Sequence, residues 1–320
     1  MSDLRPTACS ALKDRIGRPL RGPRRSRVGD RKACTGCSSA IIMKHEGGRF
    51  TMPKQLLIYE TAVPLSAARH GDCSVEVGAT YDFSGGVNSV PLMAVEFPHA
   101  AGEYAIVFAG DDSLIPAVIL GVRGDENLFL SKEKTWEAEY IPAFVRRYPF
   151  VFSTSPDGRQ LVLCIDEAFA GFNRDGRGQR LFADDGKPSE YVDNVMKFLQ
   201  DFQAQFRRTQ AFCTKLRELD ILEPMQAQVA LASGERLSLG GFMAVNRAKL
   251  KALPGDKLAE LAQSDELELL YLHLQSMRNF ARLRDRLTGI EGGKAAAAAA
   301  SGNGAAPPAG SNGSGQAAAG

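Results

Sequence analysis

The stretch Trp136–Glu167, WEAEYIPAFVRRYPFVFSTSPDGRQLVLCIDE, decides the fold because it joins a helical turn to the clearest strand pair in the chain. Prolines lie at both ends of the helical turn predicted over 141–149. The first turn of a helix tolerates the ring of Pro142, whereas the ring of Pro149 ends the helix. Two apolar runs, 150–154 and 161–165, then flank a turn of Ser, Pro, Asp, Gly and Arg. That composition supplies the backbone dihedrals of a hairpin, so the sequence predicts an antiparallel strand pair.

The same stretch contains the candidate binding residues. Arg146 and Arg147 precede Tyr148 in the helical turn, and the second strand runs into Asp166 and Glu167. Two arginines and two carboxylates beside aromatic side chains predict a polar cluster at one end of the sheet. One interpretation is an ion-pair network that fixes the helical turn onto the hairpin. The other is a ligand- or partner-binding pocket, in which an arginine fork binds a carboxylate or a phosphate.

The segment before this stretch has the pattern of antiparallel strands separated by turns. Residues 74–82 alternate apolar and polar side chains, which predicts a half-buried strand, and 90–97 is an apolar run of strand length. Residues 104–121 contain two further runs around a short polar loop, which predicts a hairpin. Glu96 and His99 flank the turn that follows the second run, a position more typical of a surface loop than of an acid–base pair.

The second half of the chain has helical periodicity, interrupted once. Ser189 is a candidate N-cap for a long helix whose apolar residues recur every three or four positions over 192–216. Residues 227–242 then predict a second hairpin, and two more helices follow over 256–263 and 265–287. The predicted fold class is therefore α+β, with an antiparallel sheet-rich N-terminal half packed against a helical C-terminal half containing one further hairpin.

Charge is distributed unevenly along the 320 residues. Residues 1–51 hold 12 of the 39 basic and 4 of the 37 acidic side chains, so the rest of the chain is mildly acidic although the net charge is +2. Their aperiodic composition predicts a basic disordered extension, or an upstream segment from a start codon chosen before Met52. We predict a single α+β domain over 52–293, with no attraction for nucleic acid, and a disordered Ala/Gly-rich tail over 294–320.

The sequence indicates no membrane span and no secretory signal, because no apolar run approaches the roughly 20 residues that a crossing needs. A cytoplasmic location is therefore expected, with reduced thiols. Cys34 and Cys37, with Cys9 and His45 nearby, are a weak candidate for a metal site. Structural zinc sites normally have two closely spaced ligand pairs and only one is present here, so an incidental pair is the other interpretation.

No group of residues predicts catalysis. Leu239-Gly240-Gly241-Phe242 lacks the third glycine of a nucleotide-binding fingerprint, which indicates close backbone packing instead. His273 lies between two leucines and is interpreted as a core or interface histidine. We therefore predict no catalytic residues and no cofactor, which favours a binding protein over an enzyme.

Five segments together resemble the SapC family of bacterial proteins, over roughly residues 62–287. In chain order they are IPAFVRRYPFVF at 141–152, LVLCIDE at 161–167, FLQDFQAQFRRTQAFC at 198–213, LGGFMAVNRAKLKALP at 239–254 and LELLYLHLQSMRNFARL at 267–283. The resemblance also implies a usual start near Met52, where the composition changes.

The resemblance implies a function but transfers no catalytic residue. The family is named after surface-array loci of a Gram-negative pathogen, which implies a non-catalytic protein of a surface layer (S-layer) or envelope locus that acts through protein contacts. A cell-surface location is implied by that name alone. Proteobacterial relatives tend to be encoded near TonB-dependent receptors, halogenase-like proteins and cupin-like proteins. The alternative is therefore a cytosolic binding or accessory domain beside such enzymes and uptake systems, recognising a small anionic ligand or a peptide.

Overall fold

Three antiparallel sheets and a helical C-terminal region give the protein an α+β fold, as the sequence predicted. The structure is a computed structural model that describes residues 57–78, 80–110, 113–154, 160–230, 234 and 236–289. The predictions for the basic extension with Cys34 and Cys37, for the turn over 155–159 and for the tail over 294–320 lie outside these residues.

The largest sheet has five strands in the spatial order β10-β11-β4-β5-β3. These strands are β3 (Ser89–Pro91), β4 (Ala105–Ala109), β5 (Ile115–Ile119), β10 (Leu222–Ala230) and β11 (Arg236–Val245). Strands β4 and β5 form the hairpin predicted over 104–121, and β10 and β11 form the second predicted hairpin. Because Phe242 of β11 pairs with Ala109 of β4, the two halves of the chain share one sheet.

Two smaller sheets of three strands have the orders β1-β7-β6 and β8-β2-β9. Their strands are β1 (Ala62–Pro64), β2 (Ser74–Val75), β6 (Phe150–Thr154), β7 (Leu161–Asp166), β8 (Phe172–Asn173) and β9 (Gln179–Arg180). Strands β6 and β7 pair from Phe150 with Ile165 to Thr154 with Leu161, which confirms the predicted strand pair.

The described part contains seven numbered α-helices, and residues 279–289 are also helical. The seven are α1 (Ala67–His70), α2 (Phe97–Ala100), α3 (Ala143–Arg146), α4 (Glu190–Glu218), α5 (Arg247–Lys251), α6 (Gly255–Gln263) and α7 (Glu266–Ser276). Ser189 caps α4 as predicted, its hydroxyl accepting a hydrogen bond from the Val192 amide. None of the described helices combines the length and apolar character that a membrane crossing requires.

Two predicted strands are shorter in the structure. Only Ser74–Val75 of the run 74–82 is a strand, because Gly78 adopts a left-handed φ of 84° and the chain leaves the sheet. The run 90–97 pairs only to Pro91 and then turns into a 3₁₀ segment and α2. The Glu96 carboxylate starts this helical segment by accepting a hydrogen bond from the Met93 amide.

Within the described ranges, the buried apolar side chains form two clusters. One lies between the five-stranded sheet and the helices, and the other lies between the smaller sheets and the first turns of α4. Phe198 of α4 packs against both clusters. Helix α3 and the end of β7 lie near this junction, which is where the sequence placed its candidate binding residues.

Candidate functional site

A groove of about 170 Å³ lies beside α3. It is lined by residues of the segment 77–83, by Val145, Arg146 and Tyr148 of the helical turn, and by Phe169 after β7. Its volume is close to that of a cavity that holds one benzene molecule. Ligand pockets combine such apolar walls with a few convergent polar groups, so we take this groove as the candidate site.

A larger, open depression of about 540 Å³ lies on the hairpin of β10 and β11. Its lining includes Met225, Gln226 and Ser238 together with backbone of two glycines. The amide of Gln226 donates a hydrogen bond to the Ser238 hydroxyl, so these two polar side chains already contact each other. This surface therefore lacks the charged side chain that distinguishes the groove beside α3.

Aromatic rings form the walls of the groove. Phe83 and Tyr148 stack with their centroids 4.1 Å apart, and Phe169 meets Tyr148 edge-to-face at 5.3 Å. Tyr81 extends the wall, with its centroid 6.0 Å from that of Phe83. Offset and edge-to-face pairs are the favoured geometries of aromatic rings, so the wall is a defined surface of ring faces and edges.

Arg146 supplies the positive charge of the groove. Its Nε donates to the Ile141 carbonyl at 2.9 Å, and its guanidinium lies between the rings of Tyr140 and Phe198, 5.7 and 5.6 Å from their centroids. Nη2 contacts the Tyr140 hydroxyl at 3.4 Å. No acidic side chain in the described ranges forms an ion pair with Arg146. The nearest carboxylate in its hydrogen-bond network is that of Glu96, which accepts from the Tyr140 hydroxyl at 2.6 Å.

Comparison with protein families identifies the chain. A family model described as SapC matches residues 65–283, which includes every residue that lines the groove. The chain belongs to the SapC family. No curated protein and no solved structure gave a significant match.

Tyr148 contributes its ring, rather than its hydroxyl, to the groove of this SapC domain. The hydroxyl donates to Asp166 Oδ2 at 3.3 Å. Burial raises the pKa of Tyr148, and the nearby charge of Asp166 raises it further, because both disfavour the phenolate. Tyr148 therefore stays protonated at neutral pH and cannot act as a general base.

Arg147 faces the core rather than the groove. Its side chain is buried, and the guanidinium carbon lies 4.3 Å from the Phe144 ring centroid and 4.8 Å from that of Phe202. Burial lowers the pKa of Arg147, partly offset by its interaction with Tyr59. The two adjacent arginines of the SapC domain therefore occupy different environments, and only Arg146 lines the groove.

Asp166 and Glu167 are also directed to different partners. Asp166 is fully buried and accepts hydrogen bonds from the backbone amides of Glu60 and Thr61, at 2.8 and 2.9 Å. Glu167 instead accepts from Arg69 and, at 3.1 Å, contacts His70 Nε2. The hydrogen bond from Arg69 lowers the pKa of Glu167.

Of the five predicted residues, the groove brings together only Arg146 and Tyr148. Sequence reasoning missed Tyr81, Phe83 and Phe169, which come from separate turns and meet through tertiary packing. Their sequence signal is weak: Tyr81 lies near the end of the strand predicted over 74–82 and Phe83 directly follows it, so neither position indicates a binding site. The described part of the SapC domain contains no cluster of three or more His, Cys, Asp or Glu side chains that could hold a metal ion.

Proposed function

We propose that the SapC domain is a non-catalytic binding domain whose groove takes a small anionic ligand. The observation that carries this proposal is the position of Arg146, a cation without an acidic partner in the described chain, beside a wall of aromatic rings. An anion bound there gains a charge-assisted hydrogen bond, and the apolar part of the ligand is removed from water by the rings.

The anchoring of Arg146 supports a binding role. Because Nε is already bonded to Ile141 and the guanidinium lies between two rings, little rotamer freedom remains to be lost when a ligand binds. The side chains that line the groove include no Asp, Glu, His, Cys or Lys among the described residues. The groove thus offers binding groups without an acid, base or nucleophile poised near neutral pH.

Thermal unfolding of the full chain with a panel of organic acids tests this proposal. We expect a saturable rise in Tm with at least one acid, since a ligand that binds only the folded state stabilises it by mass action. Arg146→Gln should abolish the rise, whereas Arg208→Gln, which removes an exposed arginine of α4, should retain it. An equal response of the two variants would show that the groove does not bind the anion.

A role in a surface layer or at an envelope locus, acting through protein contacts, is the alternative implied by the family. Work beside the halogenase-like, cupin-like and TonB-dependent systems encoded near relatives belongs instead to the binding role proposed above. Fractionation of the native cell with an antibody to the chain distinguishes the two proposals. Recovery in the envelope fraction supports the surface role, and recovery only in the soluble cytoplasm contradicts it.

A further inference from the structure

We infer that the groove selects an aryl carboxylate, a ligand with one aromatic ring and one carboxylate, an inference that rests on the proposed anionic site. The volume sets the size of the apolar part. A cavity of about 150 Å³ holds one benzene ring, and the groove measures about 170 Å³. One ring therefore fills the apolar part and leaves its substituent at the edge.

The arrangement of the rings favours an aromatic ligand over an aliphatic one. Phe83 and Tyr148 are stacked, so each ring covers one face of the other. The ring plane of Phe169 is nearly perpendicular to both, at 82° to that of Phe83 and 89° to that of Tyr148. A further ring entering this cluster meets edges and uncovered faces, which are the geometries that aromatic pairs prefer. A saturated ring of similar volume is removed from water equally but lacks these quadrupole contacts.

The polar groups of the groove match a single negative charge. Arg146 is the one cationic side chain among the described lining residues, and its Nε is already used by the Ile141 carbonyl. Nη2 contacts the Tyr140 hydroxyl at 3.4 Å, longer than a usual hydrogen bond, so a carboxylate can still approach the two Nη groups end-on with its two oxygens. A phosphate monoester carries nearly two charges at neutral pH and would need further donors.

The hydroxyls around the groove add a secondary preference. The Tyr148 hydroxyl is occupied by Asp166, so this residue offers its ring and no free donor. Thr80 and Tyr81 are the other lining residues that carry a hydroxyl. The recognition elements are therefore a ring wall, one cation and the hydroxyls of these two residues.

Binding of four probes to the full chain, measured by NMR titration of the labelled protein, tests the inference. The probes are benzoate, cyclohexanecarboxylate, benzamide and phenyl phosphate. We expect benzoate to bind at least about fivefold more tightly than cyclohexanecarboxylate, with shifts at the Thr80 and Phe169 amides. Benzamide and phenyl phosphate should bind more weakly than benzoate.

Two variants and a control variant locate the selectivity. Phe83→Leu should bring the affinities for benzoate and cyclohexanecarboxylate within about twofold of each other, because a wall ring is lost while most of the apolar volume remains. Phe280→Leu, which removes a stacked ring that is not part of the groove lining, should leave the ratio unchanged. Arg146→Gln should remove the preference for benzoate over benzamide.

The outcomes separate this inference from the proposed function. If cyclohexanecarboxylate binds as tightly as benzoate, the aryl selectivity is wrong while the anionic site stands. Tighter binding of phenyl phosphate than of benzoate would overturn the carboxylate class in the same way. If none of the three anions shifts the groove amides, or if benzamide equals benzoate, both the inference and the proposed function fail.

Discussion

The carboxylate of Asp166 binds the backbone of Thr61, with Oδ1 accepting the Thr61 amide proton at 2.9 Å. Oδ2 accepts from the Glu60 amide, and Oδ1 also accepts from the Ala168 amide at 3.1 Å. The Tyr148 hydroxyl is the fourth donor to this carboxylate, at 3.3 Å. The end of β7 thereby fixes the position of the chain that leads into β1. A residue that the sequence suggested as a ligand-binding group thus has a structural role in the SapC domain.

Asp166→Asn tests that role. The amide nitrogen of asparagine replaces one acceptor oxygen and faces a backbone N–H, so a buried donor loses its partner. We expect a loss of about 1–3 kcal/mol in the free energy of unfolding, measured by urea denaturation. Asp201→Asn, on the exposed side of α4, should change the free energy by less than about 0.5 kcal/mol. Equal stability of the two variants would contradict the assignment.

The paired arginines should respond differently to truncation. Arg147 packs against the rings of Phe144 and Phe202, so Arg147→Ala leaves a space in the core and removes cation–π contacts. We expect it to lower the free energy of unfolding by about 2–4 kcal/mol. Arg146→Ala should lower it by less than about 1 kcal/mol, because the side chain is exposed. Chemical denaturation of both variants measures the difference, and losses of similar size would show that the two environments are alike.

The elements that the sequence predicted correctly are those that depend on local sequence patterns. The strand pair of β6 and β7 and the helix α4 follow from periodicity, turn residues and a serine cap, all of which act over a few positions. The pairing of Phe242 with Ala109 depends on contacts between distant segments, which a local pattern does not encode. The strand predicted over 74–82 is shorter in the structure for the same reason, since its apolar alternation continues past the point where Gly78 turns the chain away.

The sequence predicted only part of the candidate site, and the reason is geometric. Arg146 and Arg147 are chemically equivalent in sequence, but successive helical residues point about 100° apart, so one faces the groove and the next faces the core. Which of them is buried depends on where α3 docks. Phe83 and Phe169 reach the groove through packing of separate turns, and no spacing rule connects them to Arg146.

Glu96 is buried, although its position in the sequence was more typical of a surface loop. Oε2 accepts from the Met93 amide at 2.8 Å, and Oε1 accepts from the Tyr140 hydroxyl and the Ala143 amide at 2.6 and 2.7 Å. The carboxylate therefore ties the start of α3, and with it Arg146, to the segment before α2. Burial raises the pKa of Tyr140, and its bond to Glu96 adds to this rise.

Glu96→Gln should loosen this connection. The amide nitrogen cannot accept from a backbone N–H, so the Met93 or the Ala143 amide loses its partner. We expect a destabilisation of about 1–3 kcal/mol and faster hydrogen exchange at one of these two amides, measured by NMR. Exposed Glu133→Gln serves as the control and should leave both exchange rates unchanged. Unchanged protection at both amides in Glu96→Gln would contradict the proposed connection.

His273 should make stability depend on pH. It is fully buried, Nε2 accepts from the Val245 amide at 3.0 Å, and burial lowers its pKa from 6.5 to about 4. Because the unfolded chain binds the proton more readily, the contribution of neutral His273 is complete above pH 6.5 and is lost as the pH falls towards 4. At about 1.4 kcal/mol per pKa unit, the loss approaches about 3 kcal/mol.

His273→Gln keeps an acceptor for the Val245 amide but does not titrate. Urea denaturation between pH 7 and 4 should therefore show the wild type losing more stability than the variant, and parallel curves would show that His273 is not the titrating group.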